Sequence, residues 1–437
     1  MPEKITHSRV LKIAIPIVLS NATIPILGAV DTGVIGQLGN PAAIGAVGIG
    51  AIIITAIYWI FGFLRMGTVG LTSQAYGAGE QSEVNAMLSR SLLIGFIAGI
   101  VLILVQVPLF WASFQVSPAS AEVESMASKY MSIRVFSAPA AISLFGITGW
   151  LIALEKTKAV LLIQIAMNGL NIILDFLFVL HWEFGIEGVA YATFIAEWSG
   201  LAIGLLLCQK ISPLSGWFDR SLIFDRSRLK KMANVNSDIL IRSVLLEAAF
   251  VSFLFIGSDF GDVTLAANQI LLQFLSISAF ALDGFAFSAE SLVGQALGAR
   301  NRERFRRAAI LTTLWGAVMV SIWIVILFCF GNSFVNLMTT SEPVRAEANN
   351  YLKYLLILPV VGIFAWMLDG IFIGAIRTRD MRNMMAISFV GYVIFLSFLV
   401  PTLENDGLWI GLIVLFIFRT ITLGMKYPAL ERTISNI

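Results

Sequence analysis

Charge is what this chain has least of. Asp, Glu, Lys and Arg make up 13% of its 437 residues, about half the share of an ordinary soluble domain. Long polar stretches are equally scarce, so no soluble domain is large enough to host separate chemistry. Short strands of alternating polarity are absent, which excludes a transmembrane β-barrel. The chain has two cysteines and two histidines. Cys208 and Cys329 stand alone in apolar segments and read as buried thiols. His7 and His181 fall on opposite sides of the membrane in the topology below, so no histidine-based metal site is available. No Ser/His or Cys/His arrangement supplies a nucleophile and base, which sets an intramembrane enzyme aside. The net charge of +2 says nothing about partners by itself, and neither a cofactor nor a nucleic acid is expected.

Apolar residues are abundant instead, at 58%, with a mean hydropathy of +0.87. Apolar runs of about 18 residues or more recur along the chain, each long enough to cross a hydrocarbon core. The fold class is therefore an all-α polytopic membrane protein. Twelve spans are expected near 11–37, 45–70, 88–112, 131–154, 159–181, 186–208, 238–258, 265–293, 308–331, 351–375, 384–402 and 407–425. The basic N-terminus (Lys4, Arg9, Lys12) precedes an apolar run too long for a signal peptide core, and reads as a retained first helix. The longest polar segment, 209–236, reads as a cytoplasmic linker between an N-lobe (1–208) and a C-lobe (237–437) of six helices each. With the N-terminus inside, cytoplasmic segments hold 22 of the 29 Lys and Arg, including "RNRERFRR" (300–307) and "RTRDMR" (377–382). Lys129, Arg345 and Lys353 lie outside. This positive-inside bias places both termini in the cytoplasm. Arg65, Arg134, Arg242 and Arg419 fall toward span ends and read as snorkelling side chains.

The halves repeat. "QAYGAGE" (74–80) and "QALGARN" (295–301) match at an offset of 221 residues, at which Tyr130 also meets Tyr351 and Gly149 meets Gly370. Six spans per half is even, so both halves start on one side and the repeat is parallel. Duplicated folds of this kind typify secondary transporters.

Against that apolar background, acids within spans mark function. Asp31 lies in "PILGAVDTGVIGQLG" (25–39). Span 5 carries Asn168, Asn171 and Asp175 in "NGLNIILDF", with Asn171 and Asp175 four apart on one helical face. Span 6 offers Thr193 and Glu197, again four apart. Desolvation and a like-charged neighbour both favour the protonated form of a carboxyl, so such a cluster suits proton uptake and release. Asn168 reads as helix glue. Pro16, Pro25, Gly28, Gly33 and Gly36 surround Asp31, and the two prolines supply a helix-1 hinge, so protonation of Asp31 is expected to bias a bend. Glu247, Asp283, Glu290 and Asp369 lie within spans of the other half. Shifting Glu247, Asp283 and Asp369 back by the repeat meets Ile26, Gly62 and Thr148, so the acids are not duplicated. Glu247, Asp283 and Asp369 form a possible second cation site, with Na⁺ possible at Glu247 and Asp369.

The whole chain resembles the MATE (multidrug and toxic compound extrusion) transporters, in their DinF-like branch. The resemblance rests on "VDTGVIGQLG" (30–39), "FLRMGTVGLTSQAYGA" (63–78), "NIILD" (171–175), "ALDGFAF" (281–287) and "LPVVGIFAWMLDGIFIGAIRTRDMRN" (358–383). It implies two six-helix lobes in a V and cation-driven efflux of amphipathic, often cationic drugs. It further implies proton coupling at Asp31, Asn171, Asp175 and Thr193, with bending at Pro16; the Na⁺-linked branch uses acids placed like Glu247 and Asp369. The resulting expectation is an H⁺-coupled multidrug antiporter, a monomer in the bacterial inner membrane. The alternatives are Na⁺ coupling through the C-lobe acids and a flippase for lipid-linked precursors. A flippase requires central Arg or Lys for phosphate, whereas the mid-span charges read as acidic.

Overall fold

The apolar runs fold as helices, and no strand occurs among the described residues, which in this computed structural model are 4–37, 40–116, 120–213 and 216–435. The last two residues of the 30–39 motif and residues 214 and 215 of the linker lie outside them. The first half holds α1 (His7–Gly36), α2 (Pro41–Trp59), α3 (Gly62–Ala78), α4 (Gln81–Leu104), α5 (Gln106–Val116), α6 (Ala121–Arg134), α7 (Ala138–Ala153), α8 (Thr157–Asp175) and α9 (Gly185–Ile211). The short α10 (Arg220–Ile223) lies in the connection. The second half holds α11 (Arg226–Ser258), α12 (Asp262–Gly298), α13 (Arg302–Met338), α14 (Glu342–Gly374), α15 (Thr378–Gly424) and α16 (Tyr427–Ser435). Side chains cap several starts: Asn40 Oδ1 accepts from Ala42 N at 2.9 Å, and Asn301 Oδ1 from Arg304 N at 2.9 Å. Each satisfies an otherwise unpaired first-turn donor.

By length and apolarity, 11 helical segments among the described residues suffice to cross a membrane, one fewer than the expected twelve. The difference lies in the last. Within α15, Glu404 has φ 50° and ψ −126° and breaks the helix after Pro401. The two arms fold back on each other. Ser388 Oγ and Thr422 Oγ1 are 3.2 Å apart, and a Cβ at Gly407 would lie 2.6 Å from the Leu399 carbonyl oxygen. Two antiparallel arms joined by a tight turn are two passes, which restores twelve.

The repeat is written in the backbone. Left-handed φ values end helices at Gly79 (80°) and Arg300 (53°), at Glu155 (59°) and Ile376 (54°), and at Glu183 (56°) and Glu404 (50°); each pair is 221 residues apart. Hydrogen bonds follow the same offset: Glu155 N donates to Ile152 O and Lys156 N to Leu151 O, while Ile376 N donates to Ile373 O and Arg377 N to Phe372 O. A Cβ at Gly77 would collide with the Gln295 carbonyl, and one at Gly298 with the Gln74 carbonyl. Residues 77/298 and 74/295 are both repeat pairs, so the contact is reciprocal, the pattern a twofold relation produces.

Two compact units emerge. One comprises Met1–Val18, Ser73–Gly79 and Lys231–Ile437; the other comprises Leu19–Thr72 and Glu80–Lys230. The first is built around Phe253, Tyr392, Trp409 and Phe416, with Trp409 Nε1 donating to Asn268 Oδ1 at 3.0 Å. The second buries Trp150, whose Nε1 donates to Val84 O at 2.8 Å. Its part of the linker is pinned to α4. Arg90, 1% exposed, donates to Leu222 O at 2.7 Å and Ile223 O at 3.2 Å, and to both oxygens of Glu83. Glu83 also takes Arg228. Of the two cysteines, Cys208 is buried as expected, but Cys329 is exposed on α13: the all-round apolar character that suggested burial suits an outward, lipid-directed face equally well.

Candidate functional site

Asp31, Asn171, Asp175 and Thr193 lie in one unit, on α1, α8 and α9. Asn168 binds α1 to α8, its Nδ2 donating to Thr23 Oγ1 at 2.7 Å; this is the glue expected of it. One turn on, Asn171 Nδ2 donates to Thr193 Oγ1 at 3.3 Å, and the hydroxyl is also anchored on Val189 O at 3.0 Å. Asp175 is fully buried and Asp31 half-buried. The two carboxyls act on each other directly, and Arg134 is the cation that acts on both. Neither oxygen of Asp175, nor Oδ1 of Asp31, makes a hydrogen bond of acceptable geometry among the described residues. Buried carboxyls are ordinarily satisfied by donors. Directly after Asp175, α8 widens into a π-helical turn over Phe176–His181, an irregularity that in helices concentrates at functional sites.

Glu197 does not join Thr193, as the four-residue spacing suggested. It pairs instead with Arg134, at 2.8 and 3.2 Å through both oxygens. Arg134 is 7% exposed, so it does not snorkel. The pass runs Ala121–Ala153 and begins ten residues before the expected start at 131, which moves Arg134 from a span end to the interior. Around it, Tyr58 donates to the Arg134 carbonyl at 2.8 Å and Arg134 Nη1 to Ser137 Oγ at 3.2 Å. Tyr130, 2% exposed, interacts with both Arg134 and Asp31. Arg134, Tyr58 and Tyr130 were missed by sequence reasoning. The available signal was an arginine and a glutamate in separate apolar runs, each too costly to bury alone.

The second half's acids do not gather. Asp369 accepts from Arg242 and, at 2.6 Å, from Arg419, both more than nine-tenths buried. They too were expected to snorkel. Arg242 lies midway along α11, which starts twelve residues before the expected span. Two guanidiniums on Asp369 repel a cation, so Na⁺ at this carboxylate is disfavoured. Glu247 is exposed on α11. Asp283 is half-buried on α12, and no group of three or more His, Cys, Asp or Glu stands together among the described residues. α1 runs as continuous helix through Pro16 and Pro25 and passes from one compact unit to the other between Val18 and Leu19, within a turn of Pro16.

Comparison with known proteins agrees with this architecture. The family described as MatE matches the chain twice, over residues 16–177 and 240–399. The DNA damage-inducible protein F of Escherichia coli is 35% identical over 413 residues, covering 94% of this chain and 90% of that one. A probable multidrug resistance protein NorM of Bacillus cereus is 21% identical over 455 residues, 99% and 98% of the two chains. Among solved structures, a MATE transporter of Vibrio cholerae superposes with a TM-score of 0.88 at 20% identity, covering 98% of this chain and 97% of that one.

Proposed function

Because this chain belongs to the MatE family of multidrug and toxic compound extrusion transporters, we propose that it exports amphipathic, cationic compounds in exchange for protons carried by Asp31 and Asp175. It is a multi-pass efflux transporter and not an enzyme. The observation that carries the coupling proposal is a half-buried and a buried carboxyl that act directly on each other, with no other donor to Asp175 among the described residues. Two carboxyls that act on each other in a low dielectric exchange protons as a unit. Asn171 and Thr193 hold each other at the next turn and fix the faces of α8 and α9 on which the acid stands.

In the proposed cycle, protons entering from outside neutralise Asp31 and Asp175, weaken the hold on a cationic drug and favour its release outward. Loss of the protons toward the cytoplasm restores the charge that attracts the next drug. α1 transmits the change: it carries Asp31, is tied to α8 through Thr23 and Asn168, and crosses between compact units beside Pro16. A missing backbone donor at a proline lowers the cost of bending there. The lobes that alternate access are residues 1–208 and 237–437, joined by the linker 209–236, except that Met1–Val18 and Ser73–Gly79 belong to the compact unit of the second half. The protein acts as a monomer in the bacterial inner membrane with both termini in the cytoplasm.

Sodium coupling has less support, because Asp369 is held by two arginines and Glu247 is exposed. The test is drug-driven counter-ion flux in proteoliposomes under an imposed ΔpH or ΔNa⁺. Ethidium efflux is expected to follow ΔpH in the wild type and to fall by at least about tenfold in Asp31→Asn and Asp175→Asn, with both variants folded. Unchanged ΔpH-driven efflux in Asp31→Asn removes the proposed role.

A further inference from the structure

A cluster of three charges in the second half, two buried arginines and a half-buried aspartate, takes no part in the proton cycle. Arg242 on α11 and Arg419 on the last arm of α15 both donate through Nη2 to a single oxygen, Oδ2, of Asp369 on α14. Arg242 is 7% exposed and Arg419 4%. Within this triad, two guanidiniums on one carboxylate leave an excess of one positive charge. Asp369 and Arg242 are the charges that act on Arg419; of the acids flanking Arg242 on α11, Asp238 is paired with Arg382 at 2.6 Å and Glu247 is exposed. Two donors are left over as well: Nε of Arg242 and Nη1 of Arg419 are buried with no hydrogen-bond partner among the described residues.

A buried guanidinium with unmet donors, sharing its one carboxylate partner with a second guanidinium, is a costly arrangement that a counter-anion relieves. Its donors form a planar fork suited to an oxyanion. One side of the site is walled by rings: the Arg419 guanidinium lies 5.0 Å from the Phe416 ring centre, and Phe416 packs on Trp366 at 5.0 Å. Such a wall lowers the local dielectric and strengthens the attraction for an anion.

We infer that Arg242 and Arg419 form an anion site in the second half, which takes one compact monovalent anionic group in competition with Asp369. That group is a free halide or the carboxylate of an amphipathic substrate. The site lies within one compact unit and shares no residue with the proposed proton cycle; only its use by a substrate rests on the efflux reading. If a substrate supplies the anion, the preferred compounds are zwitterions, cationic at one end and acidic at the other.

The test uses the purified full chain in halide-free HEPES buffer, titrated with chloride and followed by calorimetry and thermal unfolding. Chloride is expected to bind the wild type and raise its unfolding temperature. Asp369→Asn removes the competing acid and keeps both arginines, so chloride binds at least about tenfold more tightly. Arg419→Gln leaves a balanced Arg242–Asp369 pair and abolishes the chloride effect. A purely structural triad predicts lower stability in both variants with no gain in chloride affinity, and that result overturns the site. Norfloxacin, which carries a carboxylate, and its methyl ester distinguish the sources: displacement of chloride by the acid alone assigns the site to substrate, and displacement by neither assigns it to halide. If Arg419→Gln does not fold, the gain or its absence in Asp369→Asn decides. Ethidium flux in Asp31→Asn tests the proton cycle separately.

Discussion

At the residue scale, the buried charges sort by whether a partner meets them. Arg134 and Glu197 meet through two hydrogen bonds at 8% and 14% side-chain exposure, whereas Asp175 faces another acid, Asp31, and meets no other donor among the described residues. A carboxyl paired with a guanidinium is held ionised; two carboxyls that face each other can share, gain or lose a proton. Removing one partner of a buried pair strands the other. Arg134→Leu is therefore expected to cost about 3–5 kcal/mol, read as a shift in the denaturant midpoint of the detergent-solubilised protein. Adding Glu197→Leu should recover most of that loss, since a matched apolar pair replaces a desolvated ionic one. A double variant as unstable as the single would show that Arg134 works through something other than Glu197. The acids were legible in the sequence because each interrupts an apolar run. Their partners were not: pairing depends on which helices pack together, and an arginine placed at a span end by an inexact boundary looks solvated.

At the scale of elements, helix starts and stops carry the strain. Glu404 is exposed and holds φ 50° and ψ −126°, a combination that only glycine adopts freely. Glu404→Gly is expected to stabilise the protein by about 1–2 kcal/mol, seen as a higher unfolding temperature; a lower one would mean that its side chain holds the turn together. The linker behaves as a strap on α4 rather than as a loose tether. Arg90 holds the carbonyls of Leu222 and Ile223 while gripping Glu83, so Arg90→Ala should release 216–230 and cost about 3–5 kcal/mol through the stranded Glu83 and the freed carbonyls. Proteolysis is the direct check, with cleavage appearing in that segment only in the variant. Composition marked 209–236 as polar and basic, which is true of loose and of strapped connections alike.

At the scale of the whole molecule, duplication is the organising fact. The backbone repeats its left-handed helix ends at a constant offset, while the ionised side chains inside do not repeat. The halves share a scaffold and differ in chemistry: one keeps a donor-poor acid pair, the other an arginine-rich triad. Gly77 and Gly298 stand in reciprocal contact with the backbone at Gln295 and Gln74. Gly77→Ala and Gly298→Ala are each expected to destabilise by roughly 1–3 kcal/mol, and by similar amounts, because each forces the same backbones apart. Thermal unfolding of the two single variants tests this; unequal losses would show that the contact is not mutual in energy.

The amino-acid sequence by itself determined the class, the helical passes, the repeat and the positions of the intramembrane acids. All of these follow from local quantities: apolar run length, the sidedness of Lys and Arg, and a fixed offset between similar segments. Only the tertiary structure decided which charges are neutralised. Ion pairing joins residues such as Arg134 and Glu197, or Arg242, Asp369 and Arg419, that lie far apart along the chain. Whether a buried charge is relieved or exposed to protonation depends on distance in space, which no one-dimensional pattern contains.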